Sequence, residues 1–387
     1  MRNPLRTLLA LLVLSVALGG CVTVARTPFT EIDVARASPP GFDDVRYDQD
    51  DARLAQMLRR SMMPSGQNEI VSLAISGGGA NGAYGAGLLY QWSKTGQRPQ
   101  FQLVTGVSTG ALTAPYAFLG PDWDEPMRQA YFSPKLAGLL QARGLVGLFT
   151  PGFYRKEPLI ALVRSEVTDE MLASIAAEHA KGRRLLVATT NLDTEEMVVW
   201  DMGAIAARGG PAARELFIQV MVASASVPGV FPPSLIEVEA GGRRFSELHV
   251  DGQAGGAFFA IPQTLLLSKM VQREHARARL FIIVNGRLDS VFALTPHSTL
   301  SILARSLDTA NKASMRSMLI STEEFCQRSG CTLKVSALPP GAVDDPLDFK
   351  PAHIAALFAA GAAEAGDHGA WNDSPAAPAP APAQAAR

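Results

Sequence analysis

The stretch LAISGGGANGAYGAG, Leu73 to Gly87, runs from an apolar segment straight into three glycines, and six glycines fall within the eleven positions from Gly77 to Gly87. Glycine loses more backbone freedom on folding than any other residue, so this density is costly unless the chain must turn sharply or be approached closely. Ile70–Ser76 is a continuous apolar run ended by glycine, which reads as a buried strand. Ala80–Lys94 follows as a helix. Strand, glycine loop and helix in that order open a parallel β–α unit.

The alternation continues outward. Phe101–Val107 is a second strand, with a helix from Thr109; Arg184–Leu192, Glu196–Met202, Phe245–Gly252, Arg279–Gly286 and Thr332–Leu338 are further strands. Helices are expected from Pro211 to about Ser224, over most of Leu294–Ser321 and over Ala352–Gly366, the first opened by a proline in its first turn. Such alternation argues an α/β fold with a mostly parallel sheet. Ligands of such sheets sit at the carboxyl ends of the strands.

Three chemistries compete for the glycine loop. Gly77, Gly79 and Gly82 fit a dinucleotide fingerprint, but that motif needs an acid about 20 residues on, and no Asp or Glu occurs between Glu69 and Asp122. A phosphate-binding P-loop needs Gly-Lys-Ser/Thr, and the nearest lysine, Lys94, lies far along the helix. The third is a set of free N–H groups at a helix N-terminus that stabilises an oxyanion. It requires a nucleophile. The next strand ends in GVSTG, Gly106 to Gly110, a Gly-x-Ser-x-Gly pattern between strand and helix that exposes a serine, Ser108, on a sharp turn. Plain strand-to-helix turns would leave three consecutive glycines without a reason.

A serine nucleophile needs a base. The six histidines are His179, His249, His275, His297, His353 and His368, and none stands at a glycine-flanked strand end. Asp251, in HVDGQAGG, does. A carboxylate can serve as direct base when burial lifts its pKa toward neutrality; an Asp before Gly also commonly caps a turn. His249, two residues earlier on the same strand, is expected on the same side.

The ordered set SGGGANGAYGAG, GVSTG, SASVPGVFPP and VDGQ resembles the patatin-like phospholipases over roughly residues 68–370. The resemblance implies a three-layer α/β/α sandwich and acyl-ester hydrolysis by a Ser–Asp dyad, with no cofactor and no metal. Carried over, Ser108 is the nucleophile, Asp251 the base, and Gly77, Gly78 and Gly79 line the oxyanion hole. Ser224 to Pro233 and Ala188–Thr194 match further family blocks. Two positions depart from the pattern: Asn81 stands where the family carries Arg or Lys, and Gln253 follows Asp251-Gly252. The missing cation turns the expectation from an anionic head group toward a neutral ester or thioester.

The N-terminus points to a membrane. Arg2 and Arg6 precede an apolar run of eleven residues, Leu8–Leu18, too short for a spanning helix, which needs ~20, and built like a secretory signal. It ends in Leu-Gly-Gly-Cys, which resembles a bacterial lipobox with Cys21 as the lipidated mature N-terminus. Val22, in place of Asp, favours the outer membrane by the same resemblance. The expected organisation is a signal at 1–20, a tether at 21–66 with an amphipathic helix near Ala52–Met63, a hydrolase domain at 67–371, and a Pro/Ala-rich disordered tail at 372–387. Cys326 and Cys331 lack the two further ligands of a zinc site, so a disulfide is expected, with two free thiols as the alternative. A formal charge of −1 over 387 residues gives no basic field for nucleic acid; the expected partners are a lipid or acyl-ester substrate and the membrane that holds the anchor. The expected function is thus a lipid-anchored serine acyl hydrolase. Its rival is a non-catalytic lipid-binding envelope lipoprotein with a degenerate site.

Overall fold

One sheet contains β1 (Arg46–Asp48), β2 (Glu69–Ile75), β3 (Leu103–Val107), β4 (Arg184–Asn191), β5 (Glu196–Asp201), β6 (Ser234–Ala240), β7 (Arg243–Asp251), β8 (Arg277–Val284) and β9 (Thr332–Ala337). The computed structural model describes residues 26–62, 69–144, 147, 150–262, 266, 277–366 and 371. The expected signal, Cys21 and the Pro/Ala-rich tail lie outside these residues.

The strand order is β1-β5-β4-β3-β2-β8-β9, with β6 and β7 as a hairpin that reaches β4. The five central strands, β4 to β9 along that path, are parallel, while β1, β5, β6 and β7 pair antiparallel. The central strands are continuous apolar runs because helices cover both of their faces. Along β8, Phe281 and Ile283 enter one core while Leu280, Ile282 and Val284 enter the other.

The helices sort by face. The chain-order labels are α1 (Ala52–Met62), α2 (Gly82–Lys94), α3 (Thr109–Leu119), α4 (Asp124–Tyr131), α5 (Glu157–Glu166), α6 (Asp169–Ala180), α7 (Met202–Arg208), α8 (Gly210–Ser224), α9 (Thr299–Ser329) and α10 (Pro351–Gly366). α2 through α8 and α10 place apolar side chains in the larger core. α9 covers the opposite face through Met315 and Leu319, and α1 does so through Leu54 and Leu58. The result is a mixed α/β fold with a mostly parallel centre and helices on both sides. No helix among the described residues is long and apolar enough to cross a membrane.

Two expectations need correction. The segment 21–66, read as a tether, is built into the fold where it is described: β1 pairs with β5, Ser38 bridges to Glu239, and Phe42, Val45, Leu54 and Leu58 are buried. The helix expected over Leu294–Ser321 starts later and runs further. Ser298 Oγ accepts the N–H of Ser301, fixing the start, and Gly330 ends α9 with a left-handed φ of +80°. Cys326, in the last turns of α9, and Cys331, just beyond it, are joined by a disulfide.

Candidate active site

β4 is longer than β3, and this places the site. One edge of β4 pairs with β3 as far as Val107↔Ala188; the next rung on that edge is Thr189↔Asp251, supplied by β7. β3 leaves the sheet at the rung where β7 arrives, so Ser108, following Val107, stands beside Asp251. Both are buried, at 3% and 1% exposure.

Ser108 has φ +56° and ψ −125°, a backbone conformation that is strained for any residue with a Cβ. The flanking glycines make the turn feasible. A Cβ on Gly106 would strike the carbonyl of Gly110, and one on Gly110 would strike those of Ile75 and Ser76. The strain is held by Ser224, whose Oγ accepts the Ser108 N–H at 3.0 Å and donates to Ala188 O at 2.7 Å.

Asp251 is tied at its backbone, where its N–H donates to Ser226 O at 2.9 Å. Its Oδ1 accepts the N–H of Gln253 at 2.8 Å, and its Oδ2 is buried with no hydrogen bond of ordinary geometry. Burial pushes the carboxyl pKa up to about 7, against the opposing pull of the Ser108 hydroxyl and the Gln253 N–H. At neutral pH such a carboxylate is half ionised and can accept a proton.

The glycine loop closes the site from β2. The N–H of Gly77 points to Ala257 O at 3.4 Å and that of Ala80 to Pro346 O at 2.9 Å, while those of Gly78 and Gly79 have no partner among the described residues. Gly79 has φ +56°, and a Cβ there would strike Pro346 O. Asn285, at the end of β8, staples the loop: its Nδ2 donates to Ser76 O and its N–H to Ser76 Oγ, both at 2.9 Å. The other glycines of the opening stretch serve packing, Gly82 against Thr109 and Tyr131, and Gly87 against Phe358 of α10.

His249 is engaged elsewhere. Its Nδ1 lies 2.9 Å from Thr189 Oγ1 and its Nε2 3.1 Å from Glu247 Oε2, and Arg46 pairs with Glu247 at 2.6 Å. Burial holds the imidazole pKa below its usual value despite Glu247. Asn81, where a cation was expected from the family pattern, donates its Nδ2 to Asp344 Oδ1 at 2.6 Å. Asp344 in turn pairs with Lys312 of α9 at 3.2 Å. No cluster of three or more metal-ligating side chains exists among the described residues.

A pocket opens from Ser108 and Gly79 between α3, α5 and the segments 225–231 and 346–349, with about 930 Å³ of empty space counting its mouth. Its lining is almost wholly apolar, with Leu112, Leu159, Leu162, Val230, Phe231 and Leu347 prominent.

Residues 73–261 match the family model of patatin-like phospholipase. The chain carries a patatin-like phospholipase domain. The matched span of this patatin-like domain holds the glycine loop, Ser108 and Asp251, and stops short of Asn285 and Pro346. No curated protein matches the chain in sequence. Solved structures similar to it include VipD from Legionella pneumophila, at 12% identity and TM-score 0.34, over 78% of this chain and 67% of that one. Human GIVD cytosolic phospholipase A2 aligns at 15% identity and TM-score 0.34, over 74% of this chain and 50% of that one. The SpcU–ExoU complex from Pseudomonas aeruginosa aligns at 13% identity and TM-score 0.28, over 76% and 52%. The chain thus spans about half the length of the last two.

Three supporting residues escaped the sequence reading of this patatin-like domain as individual contacts. Ser224 lay in a recognised block but without a role. Asn285 had a legible signal, a polar residue before glycine at a strand end. Pro346 had none.

Proposed function

We propose that this chain is a lipid acyl hydrolase working through Ser108 and Asp251, anchored by a lipidated Cys21 in a bacterial envelope, on the outer membrane. In the first half-reaction Asp251 takes the Ser108 proton as Oγ bonds to the acyl carbon, and the carbonyl oxygen gains negative charge. The unpartnered N–H groups of Gly78 and Gly79 are the donors for that charge, and one such donor is worth ~3–4 kcal/mol of barrier in other enzymes. The carbon–oxygen bond to the alcohol then breaks, and the alcohol leaves with the proton from Asp251. In the second half-reaction Asp251 takes a proton from water, whose oxygen attacks the acyl-enzyme, and returns it to Ser108.

The observation that carries this reading is the single-rung spacing of Val107 and Asp251 on β4, which sets a strained serine against a carboxyl with a raised pKa. The apolar pocket beside Ser108 suits an acyl chain. Asn81, committed to Asp344, leaves no cation on the loop for a phosphate, which favours neutral esters or thioesters. The Cys326–Cys331 disulfide suits an oxidising compartment.

A fluorophosphonate probe tests the chemistry. Labelling of the wild type and none of Ser108→Ala is expected. A folded wild type that neither labels nor hydrolyses p-nitrophenyl esters would instead support a lipid-binding protein with a degenerate site. For the anchor, a lipid mass on the Cys21 peptide is expected, and equal aqueous partitioning of wild type and Cys21→Ala would refute it. Stable anchoring requires more than one acyl chain.

A further inference from the structure

Seven of the thirteen large apolar side chains exposed among the described residues lie in two segments. Phe292 is 91% and Leu294 87% exposed in the loop that follows β8, and Ile302, Leu303 and Leu307 are exposed on the first three turns of α9. Val343 and Leu347 are exposed in the segment before α10, and Leu347 also lines the pocket that opens from Ser108. One lysine joins the two segments: Lys312 Nζ lies 3.5 Å from Asp308 Oδ2, next to Leu307, and 3.2 Å from Asp344 Oδ2, next to Val343. The apolar face is therefore continuous with the rim of the pocket. Concentrated apolar exposure of this kind marks a surface that meets a partner.

The loop is fastened with these side chains turned out. Arg305 donates to Val291 O, and Arg316 donates to Leu288 O at 3.0 Å, so α9 pins the backbone just before Phe292. The two acids between 287 and 316 are paired, Asp289 with Arg287 and Asp308 with Arg305 and Lys312. Approach to an apolar phase thus strips water from no bare carboxylate there. The position of the face says what covers it. The loop leaves the carboxyl end of β8 and Ser108 follows the carboxyl end of β3, parallel strands of one sheet, so face and site share an edge. Arg26 is held at that edge too: its guanidinium donates to both oxygens of Asp193, at 2.6 and 2.8 Å, in the turn after the carboxyl end of β4. Cys21 lies five residues before Arg26, a reach of at most ~18 Å. A lipid on Cys21 would bring a bilayer to the same edge.

We propose that Phe292, Leu294 and the exposed side of the first turns of α9 dock on the surface of a lipid bilayer and set the rim of the pocket against it. Phe292 and Leu294 enter the boundary between head groups and acyl chains, while Arg305 and Arg316 keep their charged ends at head-group level. Attachment of this kind grows with the apolar area buried. The choice of a bilayer rests on the proposed lipid acyl hydrolase reading, under which a substrate passes from membrane to pocket without crossing water. The docking itself requires neither Ser108 nor an acylated Cys21.

The test mixes the full chain with excess phosphatidylcholine vesicles whose acyl chains are either brominated or not. The fluorescence added by Phe292→Trp is expected to fall by about half or more with brominated chains, because the ring reaches the acyl boundary. That added by Lys181→Trp, at a side chain 65% exposed just before the amino end of β4, should not change. The double variant Phe292→Ser, Leu294→Ser should turn over an ester lipid in the vesicles at least about tenfold more slowly, with a soluble ester within about twofold of wild type. Quenching needs no turnover, so it decides alone if the wild type hydrolyses nothing, and the hydrolase reading then fails separately. Unquenched Phe292→Trp, or a double variant whose rates on the two substrates change alike, overturns the proposal. So does a wild type that is dimeric in solution and becomes monomeric in the double variant, with Phe292→Trp unquenched, which would give the face to a second copy of the chain.

Discussion

Ser224 Oγ accepts the backbone N–H of Ser108 at 3.0 Å and donates its own proton to Ala188 O at 2.7 Å, so one hydroxyl ties the serine turn to the end of β4. All three groups are buried. Ser224→Ala strands a buried donor and a buried acceptor, for which a loss of ~2 kcal/mol is expected. Relaxation of Ser108 away from φ +56° should lower kcat about tenfold or more while KM stays near its wild-type value. Denaturant unfolding and steady-state kinetics on a soluble ester check both.

Asp251 is expected to make stability depend on pH in an unusual direction. Its folded-state pKa of about 7 lies above the unfolded value of about 4. Between those values the native state binds more protons than the unfolded chain, so stability falls as pH rises and the loss is complete above pH 7. A difference of that size corresponds to ~4 kcal/mol. Asp251→Asn should therefore be more stable than wild type at pH 8 and gain little at pH 4. Thermal melts across pH measure it.

His249 is expected to matter for folding and not for turnover. His249→Gln weakens the Thr189–His249–Glu247–Arg46 network, which buries a charged pair, and a loss of ~2 kcal/mol follows. At a temperature where the variant is folded, kcat/KM should stay within about threefold of wild type, since both ring nitrogens are committed away from Ser108.

The segment around Pro346 is expected to depend on one carboxylate. Asp344 joins Asn81 to Lys312, and two residues on Pro346 O receives the Ala80 N–H. Asp344→Ala removes charge-assisted bonds worth ~2 kcal/mol. Hydrogen exchange at the Ala80 amide should accelerate by an order of magnitude or more, whereas exchange in β3 should not change.

The parallel core and the tight turn at Ser108 were legible because each rests on local pattern: continuous apolar runs for buried strands, and glycine at fixed offsets around a serine. α9 was misplaced at both ends, although Ser298 is a recognisable start signal and Gly330 a recognisable stop signal. β1 and β6 were missed for another reason. β1 has only three residues at the sheet edge, and β6 exposes apolar Leu235 and buries only Ile236, Val238 and Ala240. The contacts that shape the glycine loop, Asn285 to Ser76 and Pro346 to Ala80, join residues more than two hundred positions apart, and no local pattern encodes them.

The direct role of Asp251 is tested most sharply by the pH dependence of kcat/KM on a soluble ester for wild type, Asp251→Asn and His249→Gln. The expected profile rises with pH through a single ionisation near 7, because the base must be ionised to take the Ser108 proton. That limb should persist in His249→Gln, while Asp251→Asn should lose both the limb and at least about a thousandfold in rate. A folded Asp251→Asn within tenfold of wild type that retains the same limb would contradict the Ser108–Asp251 pair.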